Sequence, residues 1–263
     1  MWRILLPAVI GVALAGSALA AEHDQTRKAD GDDGASDWQV SAGLGVAWTP
    51  DYEGADTYGV MPLPWLSLNK GRFFFNPIRG AGVDLLSSDQ WTLAPVISYV
   101  FGRDSTGALS DFKAVDGSVV AGLLAGWKQG HWKLDAEVVK PVSGDLDGVR
   151  LSGDVRYRAR VTKRLNYAIG PGVRWGNRSW NEALFNISPA DAARSDLPAY
   201  RASGPYLRAS LNTRVSYYLT RQINVSTIAS YNRLLGDAAD SPIVKDVGNA
   251  NQWFVGVLGS YRF

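Results

Sequence analysis

Charged side chains fall on one face of several predicted strands, and they are the residues of this sequence best placed to meet a ligand. Between residues 148 and 161, apolar and polar residues alternate strictly, and the charged positions are Arg150, Asp154, Arg156, Arg158 and Arg160. Two further alternating segments add Lys133, Asp135, Glu137, Arg208 and Arg214. Because successive side chains of a strand point to opposite faces, each set shares one face. Such a face can select anions, or its charges can neutralise one another in a network of ion pairs.

Few residues could support catalysis or hold a metal. The sequence has two histidines: His23 lies in a charged N-terminal stretch, and His131 lies at a predicted tight turn. Neither is placed to activate a nucleophile. Asp145 and Asp147 form the best pair of acids, but no third carboxylate stands beside them to complete a Ca²⁺ site. We therefore predict a protein that is not an enzyme, with no catalytic residue, no metal and no cofactor.

The strands that would position these residues alternate apolar and polar side chains along most of the chain. We predict twelve of them, near residues 38–48, 57–68, 71–76, 78–86, 91–102, 116–127, 131–140, 148–161, 165–175, 204–219, 222–233 and 251–263. The third and fourth are the least regular, because Asn76-Pro77 leaves room only for a very tight connection or a bend. Alternation alone does not separate a soluble β-sandwich from a membrane barrel.

The lengths of the connections separate the two folds. Every second predicted connection is a tight turn: Asn69-Lys70, 87–90, 128–130, 162–164 and Thr220-Arg221. The connections that alternate with them include the long segments 103–115, 141–147, 176–203 and 234–250. Short inner turns and long outer loops are typical of outer-membrane barrels. The sequence therefore predicts an all-β fold, a transmembrane antiparallel β-barrel of the bacterial outer membrane spanning residues 38–263.

The ends of the chain fit the same class. Residues 1–20 resemble a secretory signal peptide with small residues before Ala21, and residues 21–37 hold charges and small residues typical of a flexible periplasmic tail. In the last predicted strand, Tyr261 and the terminal Phe263 share a face, and we interpret them as a barrel-assembly signal. The 27 basic and 25 acidic side chains nearly balance, which argues against nucleic acid as a partner. Beyond residue 21, no apolar stretch approaches the length of a transmembrane helix.

Three short motifs resemble the N-terminal signature of the MltA-interacting protein (MipA/OmpV) family. They are Pro50-x-Tyr52-x-Gly54, Pro62-Leu63-Pro64, and Gly71-Arg72-Phe73 with the two phenylalanines that follow. The resemblance implies an outer-membrane barrel and a scaffold role between a lytic transglycosylase and a penicillin-binding protein, and it brings no catalytic residue with it. From the residue types we expect Tyr52 and Trp65 at the membrane boundary, Phe73 and Phe75 towards lipid, and a bent or locally unpaired strand at the two prolines.

Three functions remain open from the sequence. The leading hypothesis is a scaffold for murein-synthesising and murein-hydrolysing enzymes, which would bind the periplasmic turns and the tail. The second is a small-solute channel with an anion bias. The third is a surface interaction or adhesion protein, because the long segment 176–203 carries Trp180, Phe185 and Tyr200. Outer-membrane lipid is the surrounding partner in all three cases, and the oligomeric state stays open.

Overall fold

The computed structural model describes residues 38–263. The predicted signal peptide, the predicted tail and His23 lie outside these residues. The strands are β1 (Gln39–Pro50), β2 (Tyr58–Lys70), β3 (Phe73–Asn76), β4 (Gly80–Val83), β5 (Leu86–Ser87), β6 (Trp91–Val100), β7 (Ser118–Gln129), β8 (Trp132–Pro141), β9 (Arg150–Arg160), β10 (Leu165–Gly176), β11 (Tyr206–Tyr218), β12 (Ile223–Leu235) and β13 (Asn251–Arg262). The helices are α1 (Arg178–Phe185), α2 (Pro189–Ala192), α3 (Asp237–Asp240), α4 (Pro242–Lys245) and a 3-10 turn at Gly107–Leu109. No helix among the described residues is long and apolar enough to cross a membrane.

The strands form one closed antiparallel barrel. Consecutive strands pair along the chain except for β4 and β5, and the first strand pairs with the last, from Ser41 opposite Arg262 to Trp48 opposite Val255. β4 and β5 both pair with β6 and occupy one position in the wall, so the barrel has twelve strand positions. The predicted fold class and strand number are confirmed.

The outer surface of the barrel is apolar. Side chains such as Leu44, Val60, Ile97, Leu151 and Val257 point outward and are exposed, and the alternate positions of the same strands are buried in the lumen. A continuous apolar belt of this kind is far larger than a soluble monomer exposes and is typical of contact with lipid. Both chain ends of the barrel lie at the end with the short turns. We call this the turn end, which faces the periplasm, and the opposite end the loop end.

Two tight turns lie further along the chain than predicted. β2 continues to Lys70, so the turn is Gly71-Arg72 and not Asn69-Lys70. β7 continues to Gln129, so its turn to β8 is Gly130-His131. The physical reason is the same at both turns, because Gly71 and Gly130 have positive φ angles of 54° and 56°. That conformation favours glycine in a two-residue hairpin turn.

The barrel wall is incomplete beside β2. The β3–β4 hairpin has only four residues in each strand, so β3 pairs with β2 only at Leu68, Asn69 and Lys70. β4 meets β6 only at Val96 and Ile97. Nearer the loop end, residues 58–66 of β2 and 98–100 of β6 have no ladder partner on their facing sides. Three strand spacings, about 14 Å, separate β2 from β6 at the hairpin. We call this opening in the half of the wall near the loop end the lateral gap.

The prolines of β2 face the lateral gap. In an antiparallel ladder, successive residues direct their backbone groups alternately to the two neighbouring strands. Lys70 closes the turn with Phe73 of β3, whereas the odd-numbered positions face β1, as the Asp51 N–H to Thr57 oxygen bond shows. Pro62 and Pro64 therefore lack their donors on the side of the gap, while β2 stays paired with β1 along its whole length. The predicted local loss of pairing is confirmed, on one side of the strand.

Candidate functional site

The lumen of the barrel has an apolar side and a charged side. The apolar side comes from β1, β2, β12 and β13 and consists of Ala47, Leu63, Trp65, Ile228, Phe254 and Leu258. The charged side comes from β8 to β11 and carries the predicted residues. The two sides follow directly from the sequence, because the inward positions of β8 and β9 are charged while those of β13 are apolar.

Ion pairs join neighbouring strands on the charged side. Asp135 of β8 forms an ion pair with Arg156 of β9, and the Lys133 ammonium lies 3.4 Å from the same carboxylate group. One step nearer the loop end, the Glu137 carboxylate lies 3.1 Å from Arg150. The strand register explains the first group, because Lys133 is directly opposite Arg156. A charge inside a narrow lumen is stabilised by such partners.

At the loop end of the lumen, an acid from outside the strands completes the network. The Glu53 carboxylate accepts hydrogen bonds from the Tyr206 hydroxyl at 2.6 Å and from the Arg208 guanidinium at 2.7 Å. Glu53 belongs to the β1–β2 loop, so this loop is attached to the inner wall of β11. Nearby, the Arg150 guanidinium stacks 5.3 Å from the ring centroid of Trp180 in α1.

At the turn end, the lumen widens into a basic cavity of about 320 Å³. We call it the turn-end cavity. Its lining includes five basic side chains and, among the described residues, no acidic one; the basic residues are Lys128, Lys133, Arg158, Arg160 and Arg214. Arg214 also donates to the hydroxyl of Ser226 at 3.0 Å. A lining of this composition creates a positive electrostatic potential at the turn end.

A cap of folded loops covers the loop end of the barrel. One cluster packs Trp180, Leu184, Phe185 and Val244 from the loops onto Tyr206 and inward residues of the wall. A second packs Tyr52 of the β1–β2 loop against Leu109 and Phe112 of the β6–β7 loop and against Ile243 of α4. Serine, asparagine and aspartate residues hold the cap through backbone bonds, as in the Ser241 hydroxyl bond to the Phe185 oxygen at 2.8 Å. The cap blocks the loop-end mouth of the lumen.

The structure overturns three expectations about aromatic residues. Tyr52 and Trp65 were expected at the membrane boundary, but their exposed fractions are 5% and 8%, because Tyr52 packs in the cap and Trp65 points into the lumen. The aromatic residues of segment 176–203 do not form an open adhesive surface. Trp180 and Phe185 are 1% exposed, since they fill the space above the lumen. Tyr200 is half-buried, and its hydroxyl donates a hydrogen bond to the backbone carbonyl oxygen of Asp237 at 2.8 Å.

Asp237 anchors the β10–β11 loop to α3. One of its carboxylate oxygens accepts bonds from the Gly204 N–H, the Ser203 N–H and the Ser203 hydroxyl. The bond from the Gly204 N–H, followed by those from Ser203, lowers the pKa of Asp237 below its usual value. Burial lowers the pKa of Arg103, another residue of the cap, although Asp191 counteracts this effect. Arg103 donates to the Leu184 oxygen and so ties the β6–β7 loop to α1.

The predicted charged residues share the lumen but do not form one compact site. Lys133, Arg156, Arg208 and Arg214 are buried, Asp135, Glu137, Arg150, Asp154 and Arg158 are half-buried, and Arg160 is exposed at the rim of the turn-end cavity. Three residues of the network had not been singled out from the sequence: Glu53, Arg79 and Arg174. The period of two in β10 could have indicated Arg174, whose side chain lines the same cavity as Arg150. No period marks Glu53 or Arg79, because both lie in connections.

The family motif surrounds the lateral gap. Pro50 ends β1, and Tyr52 and Gly54 lie in the cap above the gap, where Gly54 has a positive φ of 101°. Pro62 and Pro64 form its β2 edge, and Gly71, Arg72 and Phe73 turn the chain into the short hairpin below it. Phe73 points outward, Phe75 is half-buried and Phe74 points into the lumen. At the end of the chain, Tyr261 and Phe263 point outward with ring centroids 4.9 Å apart.

The candidate acids and the described histidine stay apart. Asp145 accepts a bond from the Asp116 N–H at 3.1 Å, and Asp147 accepts one from the Gly148 N–H at 2.7 Å. His131 contacts the Arg158 oxygen through its Nδ1 atom at 2.9 Å. Within residues 38–263, no group of three or more potential metal ligands is present.

Comparison with known proteins identifies relatives along most of the chain. The family model described as MltA-interacting protein MipA matches residues 42–263. The MltA-interacting protein of Escherichia coli (strain K12) is 27% identical over 215 residues, which cover 79% of this chain and 84% of that protein. The outer membrane protein Omp26La of Vibrio anguillarum is 29% identical over 92 residues, which cover 35% of this chain and 34% of that protein.

Among solved structures, the chain is similar to outer-membrane barrels. An outer membrane channel from Pseudomonas putida F1 aligns with a TM-score of 0.45 at 9% identity and covers 90% of this chain and 100% of that chain. OmpT of Vibrio cholerae aligns with a TM-score of 0.38 at 8% identity and covers 86% of this chain and 97% of that chain.

Proposed function

This chain belongs to the MltA-interacting protein family, and from that membership we propose that it anchors murein-remodelling enzymes at the outer membrane. It is a β-barrel of the bacterial outer membrane. The proposed partners are a lytic transglycosylase, as the name of the Escherichia coli relative suggests, and a penicillin-binding protein, as the resemblance of the motif implies. The proposal assigns no catalysis to the barrel itself.

Besides the family membership, the observation that carries this proposal is that the loop end of the barrel is covered by folded loops while the turn end is not, among the described residues. The cap fills the loop end with packed side chains such as Trp180 and Phe185. A blocked mouth supports a role in which the barrel holds a position in the membrane more than one in which solutes cross it. The turn end has no such cover among the described residues, and it faces the compartment that contains murein.

The turn end also offers a surface with a marked charge. Among the described residues, its exposed charged side chains are seven basic and one acidic: Lys70, Arg72, Arg160, Lys163, Arg164, Arg221 and Arg262, and Asp89. They lie on tight turns and strand ends of a rigid barrel, so their positions are fixed relative to one another. A basic surface of this kind fits a partner with an acidic face, and complementary charge raises the rate and the specificity of association.

A capture experiment with matched charge reversals tests the proposal. One variant carries Arg72→Glu, Lys163→Glu, Arg164→Glu and Arg221→Glu at the turn end; the control carries Lys113→Glu, Lys140→Glu, Arg233→Glu and Lys245→Glu at the loop end. We expect the unchanged barrel and the control to retain a lytic transglycosylase or a penicillin-binding protein from solubilised outer membranes. The turn-end variant should lose it. A barrel without residues 21–37 shows how much the predicted tail contributes to retention of the enzyme. If no murein enzyme is retained by the unchanged barrel, the scaffold role is wrong.

The turn-end cavity favours a second candidate, a small-solute channel with an anion bias. Its five basic side chains would concentrate anions at the periplasmic mouth. This function requires the cap to open. Conductance in planar bilayers under a salt gradient separates the two candidates. A steady current carried mainly by anions would favour the channel, and a silent barrel that retains a murein enzyme would favour the anchor.

A further inference from the structure

We propose that the lateral gap is a binding site for a phosphate-bearing amphiphile of the surrounding outer leaflet. The polar group would enter the lumen between β2 and β6 while the acyl chains stay in the membrane. This site goes beyond the anchoring function, since it lies in the other half of the barrel and uses none of the turn-end surface. Its bounds are residues 58–66 of β2, 98–101 beside β6, the turn 77–79 below, and the cap above.

The first argument is the state of the backbone at the gap. Hydrocarbon cannot satisfy N–H and C=O groups, so an open sheet edge does not face lipid alone. The N–H and C=O groups of Val60 and Leu66 on β2 and of Tyr99 on β6 point to the gap and have no ladder partner there. Pro62 and Pro64 remove two of the donors but leave their carbonyl groups. A ligand with hydroxyl, ester or phosphate oxygens and bound water can supply the missing bonds.

The second argument is the charge behind the gap. A cavity of about 80 Å³ lies inside it, bounded by Pro77, Ile78 and Arg79 of the hairpin turn, by the edge of β6, and by the charged wall. Four basic and three acidic side chains line this cavity, namely Arg79, Arg150, Arg156, Arg174, Asp135, Glu137 and Asp154. The excess is positive, and guanidinium groups match phosphate oxygens in pairs. Arg79 lies at the threshold, with its guanidinium 4.7 Å from the centre of the Phe74 ring.

The third argument is the apolar lining next to the charge. Leu63 and Trp65 point into the lumen from β2, and Met61 and Ile78 pack against them. The gap therefore offers an apolar side along β2 and a basic side beyond Arg79. A ligand with an acyl chain attached to a phosphate matches both sides. A free inorganic anion would use only the basic side.

The proposed site explains why the three pieces of the family motif occur together. Its three pieces are separated in sequence, and the structure arranges them around one opening: Tyr52 in the cap, Pro62 and Pro64 at the edge, and the Gly71-Arg72 turn that makes the hairpin short. Two prolines also keep the β2 edge from pairing with another strand. An edge kept open in this way can receive a lipid.

Native mass spectrometry of the detergent-purified barrel tests binding. The probe is dihexanoylphosphatidic acid, compared with inorganic phosphate and with neutral dihexanoylglycerol. We expect the phosphatidic acid alone to form a one-to-one adduct, and Arg79→Gln to weaken it about tenfold because one charge-assisted contact is lost. Arg221→Gln, the same change on a distant turn, should bind like the unchanged protein. Equal binding of inorganic phosphate or of dihexanoylglycerol, or an unchanged affinity of Arg79→Gln, would overturn the proposal.

A labelling experiment tests access from the membrane and does not depend on the folding of the Arg79 variant. The chain contains no cysteine, so one introduced thiol is unique. In vesicles that contain a maleimide-bearing phospholipid, Ser98→Cys inside the gap and Val138→Cys on the lipid face of β8 should both be labelled. Ser230→Cys, which points into the lumen behind the paired wall of β12, should not. Labelling of Val138→Cys without Ser98→Cys would show that the gap is closed to lipid.

Discussion

Glu53 and Arg208 join the β1–β2 loop to the wall of β11 through a contact of 2.7 Å between Oε1 and Nη1. Arg208 is almost fully buried, so its charge depends on this partner. We expect Glu53→Gln to lower the free energy of unfolding by about 3 kcal/mol, since loss of one member of a buried pair leaves the other uncompensated. Urea unfolding in vesicles, followed by gel mobility, measures this change. Glu182→Gln, which removes an exposed pair with Arg178 and Arg201, should have little effect.

Trp180 fills the space between the cap and the lumen, and its removal should be costly. Trp180→Ala deletes a buried ring that packs with Leu184 and Tyr206. We expect a loss of about 3–5 kcal/mol in the free energy of unfolding, from lost burial and the cavity left behind. Trp91→Ala is the matched control, because Trp91 is 53% exposed at the outer surface. Equal losses in the two variants would mean that the cap is not packed as described.

Acid should loosen the cap at Asp237. The folded pKa of this carboxyl lies below its unfolded value of about 3.9. Its contribution to stability is therefore complete above the unfolded pKa and is lost as the pH falls through the folded pKa. Pepsin cleavage of the β10–β11 loop should rise as the pH is lowered below about 4. Asp237→Asn should be cleaved faster than the unchanged protein at the upper end of this range, and the difference should disappear at the lower end.

Phe263 should matter for assembly more than for stability. Phe263 is 75% exposed, while its N–H donates to the Val40 backbone oxygen at 3.0 Å. Phe263→Ser keeps that backbone bond, so a barrel refolded in vesicles should lose less than about 1 kcal/mol. In cells we expect the folded form in the outer membrane to fall several-fold, because the terminal aromatic is the predicted assembly signal. A normal cellular level would contradict that interpretation.

The sequence predicted the strands of the barrel wall, but it did not predict the folded cap or the contacts that the connections make. A period of two identifies every long strand, because lipid and lumen impose opposite polarity on alternate residues, as at Leu151 and Arg150. The alternation of polarity gives no information about the connections between strands, where Glu53 and Arg79 lie. The sequence also misplaced Trp65 at the membrane boundary. A tryptophan fits both the membrane boundary and the lumen, and only the strand register assigns Trp65 to the lumen. Pro62 and Pro64 indicated that two backbone donors are missing from β2. Which neighbouring strand loses these donors depends on which residues of β2 bond to each neighbour, and the turn at Gly71 determines this.

The pairing of β1 with β13 sets the order in which this protein can become a barrel. Ser41 and Arg262 come from opposite ends of the described chain. The seam therefore cannot form until the last strand has been delivered, and until then β1 exposes an unpaired edge. A chain that lacks β13 would leave two such edges and no enclosed lumen. Delivery of β13 therefore acts as a checkpoint, because a chain that lacks this strand cannot seal and stays open to proteases and chaperones of the periplasm.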